Sequence, residues 1–365
     1  MRFFRRKAKE FYGLDVGNGA IKLAELRRDL QDNTLALHRF LIRPTPPDTV
    51  ENGVIKNEEK LRGAIKALLK DFGARTLTVA TVLTGQNLIV RQIDVPKMTE
   101  EEFRKVLQLQ ADSYFGIPAD ELAADFQVVR ELTGNRMLVL LVGSLKQPIV
   151  EFVDLLHSCG IRATRVDIEP LAALRSLRMS GALAAATANE TTVVLDMGAG
   201  TSNLSVFQGE ELQMVRVITV AGNDFTRDIA EAEQISWQEA EMLKLEHGVV
   251  PASPVYPHVQ QTLQRLLRQV SISLEYYQVE NRSALIHQIR LIGGSSQLIG
   301  LVEALAANVQ ELFARLELEA PIVAAGNPCA HLELATTAAA AQELGPILAV
   351  AVGLALGEVA ADATD

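Results

Sequence analysis

The sequence feature that most constrains the fold is a five-residue pattern, Asp-x-Gly-x-Gly, which occurs twice, at residues 15–19 and 196–200. Each copy lies between two short apolar segments, so each predicts a β-hairpin whose glycines allow a tight turn. The chain has 365 residues, and one copy stands near the start of each half. The pattern therefore predicts a mixed α/β protein built from two similar halves, each beginning with strand, turn and strand.

A hairpin tip with few side chains exposes backbone N–H groups, which form a concave site for an anion such as phosphate. The aspartate that precedes each tip, Asp15 or Asp196, suits a hydrated Mg²⁺ ion, which prefers oxygen ligands and keeps several of its waters. One such pentapeptide is usually only a turn, whereas two copies in the same strand context favour a phosphate site held from both sides. The chain lacks the P-loop pattern, and residues 17–19 lack the third glycine of a dinucleotide-binding turn.

Composition and charge exclude several classes of protein. Hydrophobic residues make up 48% of the chain and charged residues 22%, which is the balance of a folded globular protein. The net charge of −10 argues against a nucleic-acid surface, and the six scattered histidines lack metal-ligand spacing. Two cysteines and no signal-like apolar segment predict a reducing cytoplasm. Residues 345–359 are too short and too glycine-interrupted to predict a membrane span.

The pattern between and after the two tips predicts the remaining organisation. A capping box at Thr99 and Glu102 predicts a helix that ends near Tyr114. The Ala-rich residues 181–190 predict a linker, and helices dominate the prediction after it, over residues 224–281. The basic, Phe-rich start of the chain is interpreted as solvated, with weak attachment to anionic lipid as the alternative.

The two tips and a third segment, Gly293-Gly294-Ser295, resemble the phosphate and adenosine motifs of the actin-like ATPases, which include actin, the Hsp70 chaperones and sugar kinases. The resemblance implies that ATP and Mg²⁺ bind in a cleft between two lobes, with Asp15 and Asp196 acting on the metal through water. It implies phosphate contacts from Gly17, Asn18, Gly19, Lys22, Gly198, Ala199, Gly200, Thr201 and Ser202, and adenosine contacts from Glu241, Lys244, Gly293, Gly294 and Ser295.

Three features bear on catalysis within this resemblance. Glu169 falls where the superfamily places the residue that orients the attacking water, but a glutamate in a first helical turn is also favoured by the helix dipole. By spacing alone, Glu241 and Lys244 are only a surface pair. Residues 18–20 lack the serines usual in the first loop, and Asn203 stands where some relatives have a water-orienting histidine. We therefore expect ATP binding with slow or absent hydrolysis.

Segments spread over the chain narrow the resemblance to the type IV pilus assembly protein PilM family. They run in family order through residues 12–17, 95–102, 125–128, 220–227, 239–244, 326–328 and 348–356. The resemblance implies two actin-like lobes around a nucleotide cleft and an inserted subdomain like that of the divisome protein FtsA. The predicted boundaries are residues 1–88, 165–188 and about 341–365 for the first lobe, 89–164 for the insert, 189–222 and 285–340 for the second lobe, and 223–284 for its helical subdomain.

The resemblance also implies a location and a partner. PilM proteins are cytoplasmic members of the pilus inner-membrane complex, act in twitching motility, and hold the N-terminal cytoplasmic tail of the membrane protein PilN in a groove. We predict that groove near Leu88, Val90, Phe103, Leu107 and Tyr114, although helical spacing equally allows the last three to be core residues. The resemblance leaves open whether other pilus components bind this chain and whether the chain associates with itself. The alternatives are an FtsA-like filament or secretion-system scaffold and, less favoured, a small-molecule kinase.

Overall fold

The structure is a computed structural model that describes residues 8–51, 53–83, 88–179, 183, 190–282, 284–330 and 332–362. The basic start of the chain and most of the predicted linker at residues 181–190 lie outside this range. In chain order the strands are β1 (Ala8–Val16), β2 (Ala20–Asp29), β3 (Leu35–Pro44), β4 (Val50–Glu51), β5 (Val54–Ile55), β6 (Leu77–Leu83), β7 (Ile89–Pro96), β8 (Leu122–Leu132), β9 (Arg136–Leu145), β10 (Ile161–Ile168), β11 (Thr191–Met197), β12 (Ser202–Gln208), β13 (Glu211–Ile218), β14 (Ile286–Ile292), β15 (Ile322–Ala325) and β16 (Glu333–Leu334). The helices are α1 (Glu58–Asp71), α2 (Glu100–Phe115), α3 (Lys146–Ser158), α4 (Glu169–Met179), α5 (Gly222–Glu233), α6 (Trp237–His247), α7 (Tyr256–Glu280), α8 (Leu301–Arg315) and α9 (Ala341–Asp362).

The first lobe is built on a six-stranded sheet with the order β10-β6-β1-β2-β3-β16. Strands β1 and β2 form the predicted hairpin, β3 lies antiparallel to β2, and β6 and β10 run parallel to β1. Side chains alternate between the two faces of the sheet, so that α1 and α3 cover one face and α9 covers the other. The register places Asp15, near the end of β1, opposite Lys22 on β2.

The second lobe repeats this topology. Its five-stranded sheet has the order β13-β12-β11-β14-β15, with β11 and β12 as the hairpin and β14 and β15 parallel to β11. Relative to the hairpin, strand order and direction match those of β3-β2-β1-β6-β10 in the first lobe. This match confirms the predicted α/β fold with two similar halves.

The inserted subdomain is a three-stranded sheet with the order β7-β9-β8 and helix α2 on one face. Helix α2 begins directly after Thr99 of the predicted capping box and is capped at its C-terminus by Gly116, whose φ of +69° suits glycine. The other face of the sheet contacts the second lobe, because Leu140 packs in one cluster with Phe207 and Leu212. The same cluster includes Ile168 and Leu174 of the first lobe, so the insert contacts both lobes.

Helix α3 and strand β10 follow the insert in sequence and pack with the first lobe. Leu155 and Leu156 of α3 lie in the first-lobe core, and β10 pairs with β6. The predicted insert at residues 89–164 therefore contains a helix and part of a strand whose neighbours belong to the first lobe. A boundary after Leu145, where β9 ends, follows the packing more closely.

Helix α9 is long and apolar enough, by length and composition, to span a membrane, and 67% of its most apolar window is buried inside the fold. Its 22 residues exceed the apolar run that the sequence suggested was too short. Leu348, Val352 and Leu356, spaced by one turn each, pack against the first sheet. This burial identifies α9 as a core helix.

Candidate functional site

A cleft of about 380 Å³ lies between the tips of the β1–β2 and β11–β12 hairpins, so each lobe supplies one wall. The fold brings nearly all of the predicted ligand residues to this cleft. They are Asp15, Gly17, Asn18, Gly19, Lys22, Glu169, Asp196, Gly198, Ala199, Gly200, Thr201, Glu241, Lys244, Gly293, Gly294 and Ser295.

Ser202 is the exception among the predicted phosphate contacts. Its side chain is fully buried, and its hydroxyl donates a 2.8 Å hydrogen bond to the backbone oxygen of Val220. It does not line the cleft. The only hydroxyl proton of Ser202 thus joins β12 to the segment after β13, and its phosphate contact stays a prediction.

The two hairpin tips touch one another. A Cβ atom placed on Gly200 would lie 1.9 Å from Asn18 Nδ2, and one placed on Gly19 would lie 2.6 Å from the Cβ of Ala199. Real Cβ atoms do not approach so closely, so a side chain at either position would have to displace the opposite tip or the Asn18 side chain. Because the tips approach so closely, residues of both loops line one and the same cleft.

Three carboxylates and one ammonium group lie together beneath the tips. Lys22 Nζ donates a 2.6 Å hydrogen bond to Asp15 Oδ2, in an ion pair that is almost completely buried. Asn203 Nδ2 donates a 2.8 Å hydrogen bond to Glu169 Oε2. Asp196 completes the cluster from the second lobe. One positive charge therefore faces three acidic groups.

The pKa values of these groups reflect this imbalance. Burial raises the pKa of Asp196 to about 6, an effect that Lys22 opposes and Asp15 reinforces. Burial and then repulsion from Asp196 and Asp15 raise the pKa of Glu169 well above its ordinary value. Burial lowers the pKa of Lys22, but its acidic neighbours outweigh burial and leave that pKa raised. The cluster would therefore be stabilised by an added cation.

The donor set fits a hydrated Mg²⁺ ion better than a directly chelated metal. Within the described part of the chain, no group of three His, Cys, Asp or Glu side chains is placed to hold a metal ion. Asp15 and Asp196 instead present carboxylate oxygens from opposite lobes. Magnesium keeps several waters and accepts this kind of contact through them.

Lys244 is part of the protein's own hydrogen-bond network. It is 4% exposed, and its Nζ donates to Glu241 Oε2 at 2.7 Å, to Thr226 Oγ1 at 2.9 Å and to the Gly222 oxygen at 3.3 Å. Burial lowers its pKa, an effect that Glu241 opposes. The alternative of a surface pair is therefore wrong. Because all three ammonium protons have acceptors in the protein, Lys244 holds α5 and α6 together and orients Glu241.

The third glycine segment closes the cleft on the side of the second lobe. Gly293 has a φ of +85°, and a Cβ atom there would lie 2.4 Å from Asp196 Oδ1. The turn therefore needs glycine both for its backbone angle and for its approach to the carboxylate. Ser295, next to it in the cleft, donates from its hydroxyl to the Gly198 oxygen at 2.9 Å. This bond ties the third segment to the second hairpin tip.

Sequence reasoning missed the apolar side of the cleft and one residue that supports the first tip. Four apolar side chains from separate elements line the cleft, namely Ile42, Leu245, Leu298 and Ile347. Thr45 donates from its hydroxyl to the Gly17 oxygen at 2.6 Å. None of these residues belongs to a motif, so no pattern along the chain could have identified them.

The five residues predicted for a partner groove pack in two separate apolar clusters. Phe103 is fully buried and Leu107 is 5% exposed in the core between α2 and its sheet, with Tyr114 partly buried against it. Leu88 and Val90 pack in the cluster shared with the second lobe. The alternative of core residues is therefore correct for Phe103 and Leu107, because the apolar face of α2 is turned toward its own sheet.

Curated proteins similar to this chain include two cell division proteins named FtsA. The Streptococcus pneumoniae protein is 23% identical over 264 residues, which cover 65% of this chain and 56% of that protein. The Bacillus subtilis protein is 31% identical over 122 residues, which cover 33% of this chain and 26% of that protein. The chain thus matches about half or less of the length of these relatives.

Solved structures give a broader match. A structure described as "PilM-PilN type IV pilus biogenesis complex" has a TM-score of 0.80 and 28% identity, and the match covers 96% of this chain and 98% of that chain. MreB5 of Spiroplasma citri bound to AMPPNP has a TM-score of 0.50 and 14% identity, with 98% of each chain covered. These likenesses confirm the predicted actin-like fold.

A sequence comparison with protein-family models covers nearly the whole chain. A model described as "Type IV pilus assembly protein PilM" matches residues 13–359, which include both hairpin tips, the insert and most of α9. The match agrees with the duplicated lobes and with the FtsA-like insert of the fold. This chain belongs to the type IV pilus assembly protein PilM family.

Proposed function

We propose that this chain is a cytoplasmic, nucleotide-dependent docking scaffold of the pilus inner-membrane complex. It binds ATP with Mg²⁺ between its lobes and holds the cytoplasmic tail of a PilN-like membrane protein. One observation supports the nucleotide part of this proposal. The two glycine-containing hairpin tips approach each other above a buried cluster in which three carboxylates face one ammonium group. Backbone N–H groups of both tips suit phosphate oxygens, and the carboxylates suit the metal that accompanies them.

Each part of the cleft has a proposed role in holding the nucleotide. Lys22 and the tip residues Asn18 and Thr201 contact phosphates, while Asp15 and Asp196 hold Mg²⁺ through water. Glu241, oriented by Lys244, contacts the ribose, and the glycines of the third segment allow the base to lie close to the backbone. When bound, Mg²⁺ would supply positive charge that neutralises the phosphates and the acidic cluster.

The cleft favours nucleotide binding over turnover. Glu169 is the proposed water-orienting residue, but burial and two neighbouring carboxylates raise its pKa, which favours the protonated form. A protonated carboxyl group cannot accept a proton from water. Its Oε2 also accepts a hydrogen bond from Asn203, which restricts its reorientation. We therefore propose that hydrolysis is slow or absent.

Thermal unfolding of the full chain tests the nucleotide proposal. Saturating MgATP should raise Tm by several degrees, since a ligand at about 1,000 times its Kd stabilises a fold by about 4 kcal/mol. Asp196→Asn should lose this shift, whereas Glu246→Gln on the exposed side of α6 should keep it. An unchanged Tm of the wild-type chain with both MgATP and MgADP would contradict the proposal.

For the PilN-like tail we propose a different site from the one that the sequence suggested. An apolar recess of about 20 Å³ lies in the first lobe beside α3, the helix that follows the insert, and is lined by Val50, Ile55, Leu61, Val82, Pro148 and Phe152. Its size suits the tip of one apolar side chain, which is how a short peptide segment is commonly anchored. The PilM-PilN complex among similar structures supports PilN as the partner.

Fluorescence anisotropy with a labelled peptide from the tail of the cognate PilN tests this docking site. Phe152→Ala should weaken binding about tenfold or more, because it removes an aromatic wall of the recess. Val150→Ala on the same helix is the matched control, since Val150 is 40% exposed and does not line the recess. Equal binding by the two variants would place the tail elsewhere.

A further inference from the structure

Helix α7 of the second lobe exposes an apolar stripe that no described residue covers. Ile272, Tyr276 and Val279 are 45%, 56% and 49% exposed, and their i, i+4, i+7 spacing places them on one face. The opposite face, which includes Val270 and Leu274, is buried in the second-lobe core. We call the three exposed side chains the α7 stripe. By itself an apolar stripe marks a contact surface without identifying what binds there.

Two exposed charges beside the α7 stripe identify the kind of partner. Arg268 lies four residues before Ile272, and Glu275 lies three residues after it, on the same side of the helix. They are about 10 Å apart along the axis, too far to pair with each other. Neither makes an ion pair with any residue in the described part of the chain. Both charges are therefore available to groups on another molecule.

We propose that the α7 stripe binds a second copy of this chain, whose own α7 lies antiparallel to it about a two-fold axis near Ile272. At 1.5 Å per residue, Arg268 then lies about 6 Å from the axis, and Glu275 of the second copy about 4.5 Å from it on the same side. The two-fold axis repeats this ion pair on the other side. Ile272 packs against its counterpart between the two pairs.

The size of the α7 stripe predicts a weak dimer. Stable interfaces bury about 1,200–2,000 Å² in total, which is more than three apolar side chains and two ion pairs supply. We therefore expect a Kd in the range of about 1–100 µM. No residue of α7 lines the nucleotide cleft, so the contact leaves the cleft accessible.

Sedimentation velocity of the full chain over about 1–100 µM tests this proposal. The wild-type chain should shift with concentration from 39.7 kDa toward twice that mass. Arg268→Glu and Glu275→Arg should each raise the Kd about tenfold or more, because each places like charges together at two points. An equal mixture of the two variants should associate again, since every altered charge then meets its opposite. The double variant should do the same.

Two further variants separate the stripe from general surface effects. Ile272→Asp should abolish association, because it places two carboxylates near the axis. Leu109→Glu on α2 replaces a leucine that is 83% exposed and lies outside the stripe, and it should leave association unchanged. Thermal unfolding checks that every variant is folded. A wild-type chain that stays monomeric throughout this range, or a mixture and a double variant that both stay monomeric, would overturn the proposal.

Discussion

At the scale of single residues, the cleft holds several acidic groups whose mutual repulsion is unfavourable. Asp15, Asp196 and Glu169 are held close together with Lys22 as the only cation among the described residues that line the same space, apart from the fully bonded Lys244. Such an arrangement costs stability in the protein without ligand and is relieved when a cation binds. Residues that serve ligand binding are often retained at this kind of cost.

This cost predicts how stability depends on pH in metal-free buffer. Burial raises the pKa of Asp196 from 3.8 in the unfolded chain to about 6, so the folded state binds its proton more tightly. Stability should therefore fall as pH rises between about pH 4 and pH 6, and the loss is complete above that window. Asp196→Asn should be more stable than the wild type near pH 7 by about 1–2 kcal/mol, with a shallower pH dependence.

Urea unfolding at several pH values measures this effect. The stability of Asp196→Asn should still depend somewhat on pH, because the pKa of Glu169 is also raised. Glu246→Gln, an exposed change outside the cleft, should follow the wild-type curve. An Asp196→Asn variant less stable than the wild type near neutral pH would show that the carboxylate is stabilising without metal.

At the scale of elements, close helix packing depends on small residues. Helix α9 crosses α4 at Gly353, where a Cβ atom would lie 1.8 Å from the Ala172 backbone oxygen. It also passes β1 at Gly13, where a Cβ atom would lie 2.0 Å from the Ala351 oxygen. These approaches allow α9 to contact the first sheet and α4 at once.

A pair of glycine substitutions tests the importance of this packing. Gly353→Ala should destabilise the fold by about 1–3 kcal/mol, because the added methyl group has no space and the helices must separate. Gly63→Ala in α1 is the matched change, since a Cβ atom there meets nothing within 4 Å. It should stabilise the fold by about 0.5–1 kcal/mol through helix propensity. Tm shifts of the same sign in both variants would refute this account.

At the scale of the whole molecule, the insert connects the lobes. Beyond the apolar cluster that it shares with the second lobe, Gln92 Nε2 donates a 2.8 Å hydrogen bond to the Leu212 oxygen. Arg130 forms a 2.9 Å ion pair with Glu211. A change in the angle between the lobes would therefore either shift this contact or move the insert relative to the first lobe, which offers a physical route from the cleft to α3, the helix that follows the insert and lines the recess.

This connection predicts that MgATP changes the affinity for the PilN tail peptide, measured by fluorescence anisotropy with and without nucleotide. Coupling between two sites typically amounts to about 5–150-fold in affinity. Gln92→Leu should bring the ratio of the two Kd values closer to one, because it removes a polar contact between insert and second lobe. Gln127→Leu, the same change on the exposed part of β8, should leave the ratio unchanged. Equal affinities with and without MgATP in the wild type would exclude coupling.

Much of the fold and most of the candidate cleft could be predicted, because the relevant signals are local. The hairpin tips, the capping box at Thr99 and the repeated order of strands depend on residues a few positions apart. The glycines of the tips lie together because both lobes repeat one topology. Side-chain partners far along the chain could not be predicted in this way, as with the hydrogen bond from Ser202 to the backbone oxygen of Val220.

The sequence by itself determined the α/β class and the duplication, since strand period, turn glycines and spacing are properties of the chain read in order. The FtsA-like insert and the family came from the resemblance of its motif segments to known proteins. Only the tertiary structure decided which face of α2 is covered, which lobe α3 joins, and that Lys244 donates to Glu241 and to two residues of α5. The physical reason is that an apolar face must be covered and a buried polar group must be hydrogen-bonded, but the local sequence does not specify which residues do so. That partner is chosen when distant segments pack together.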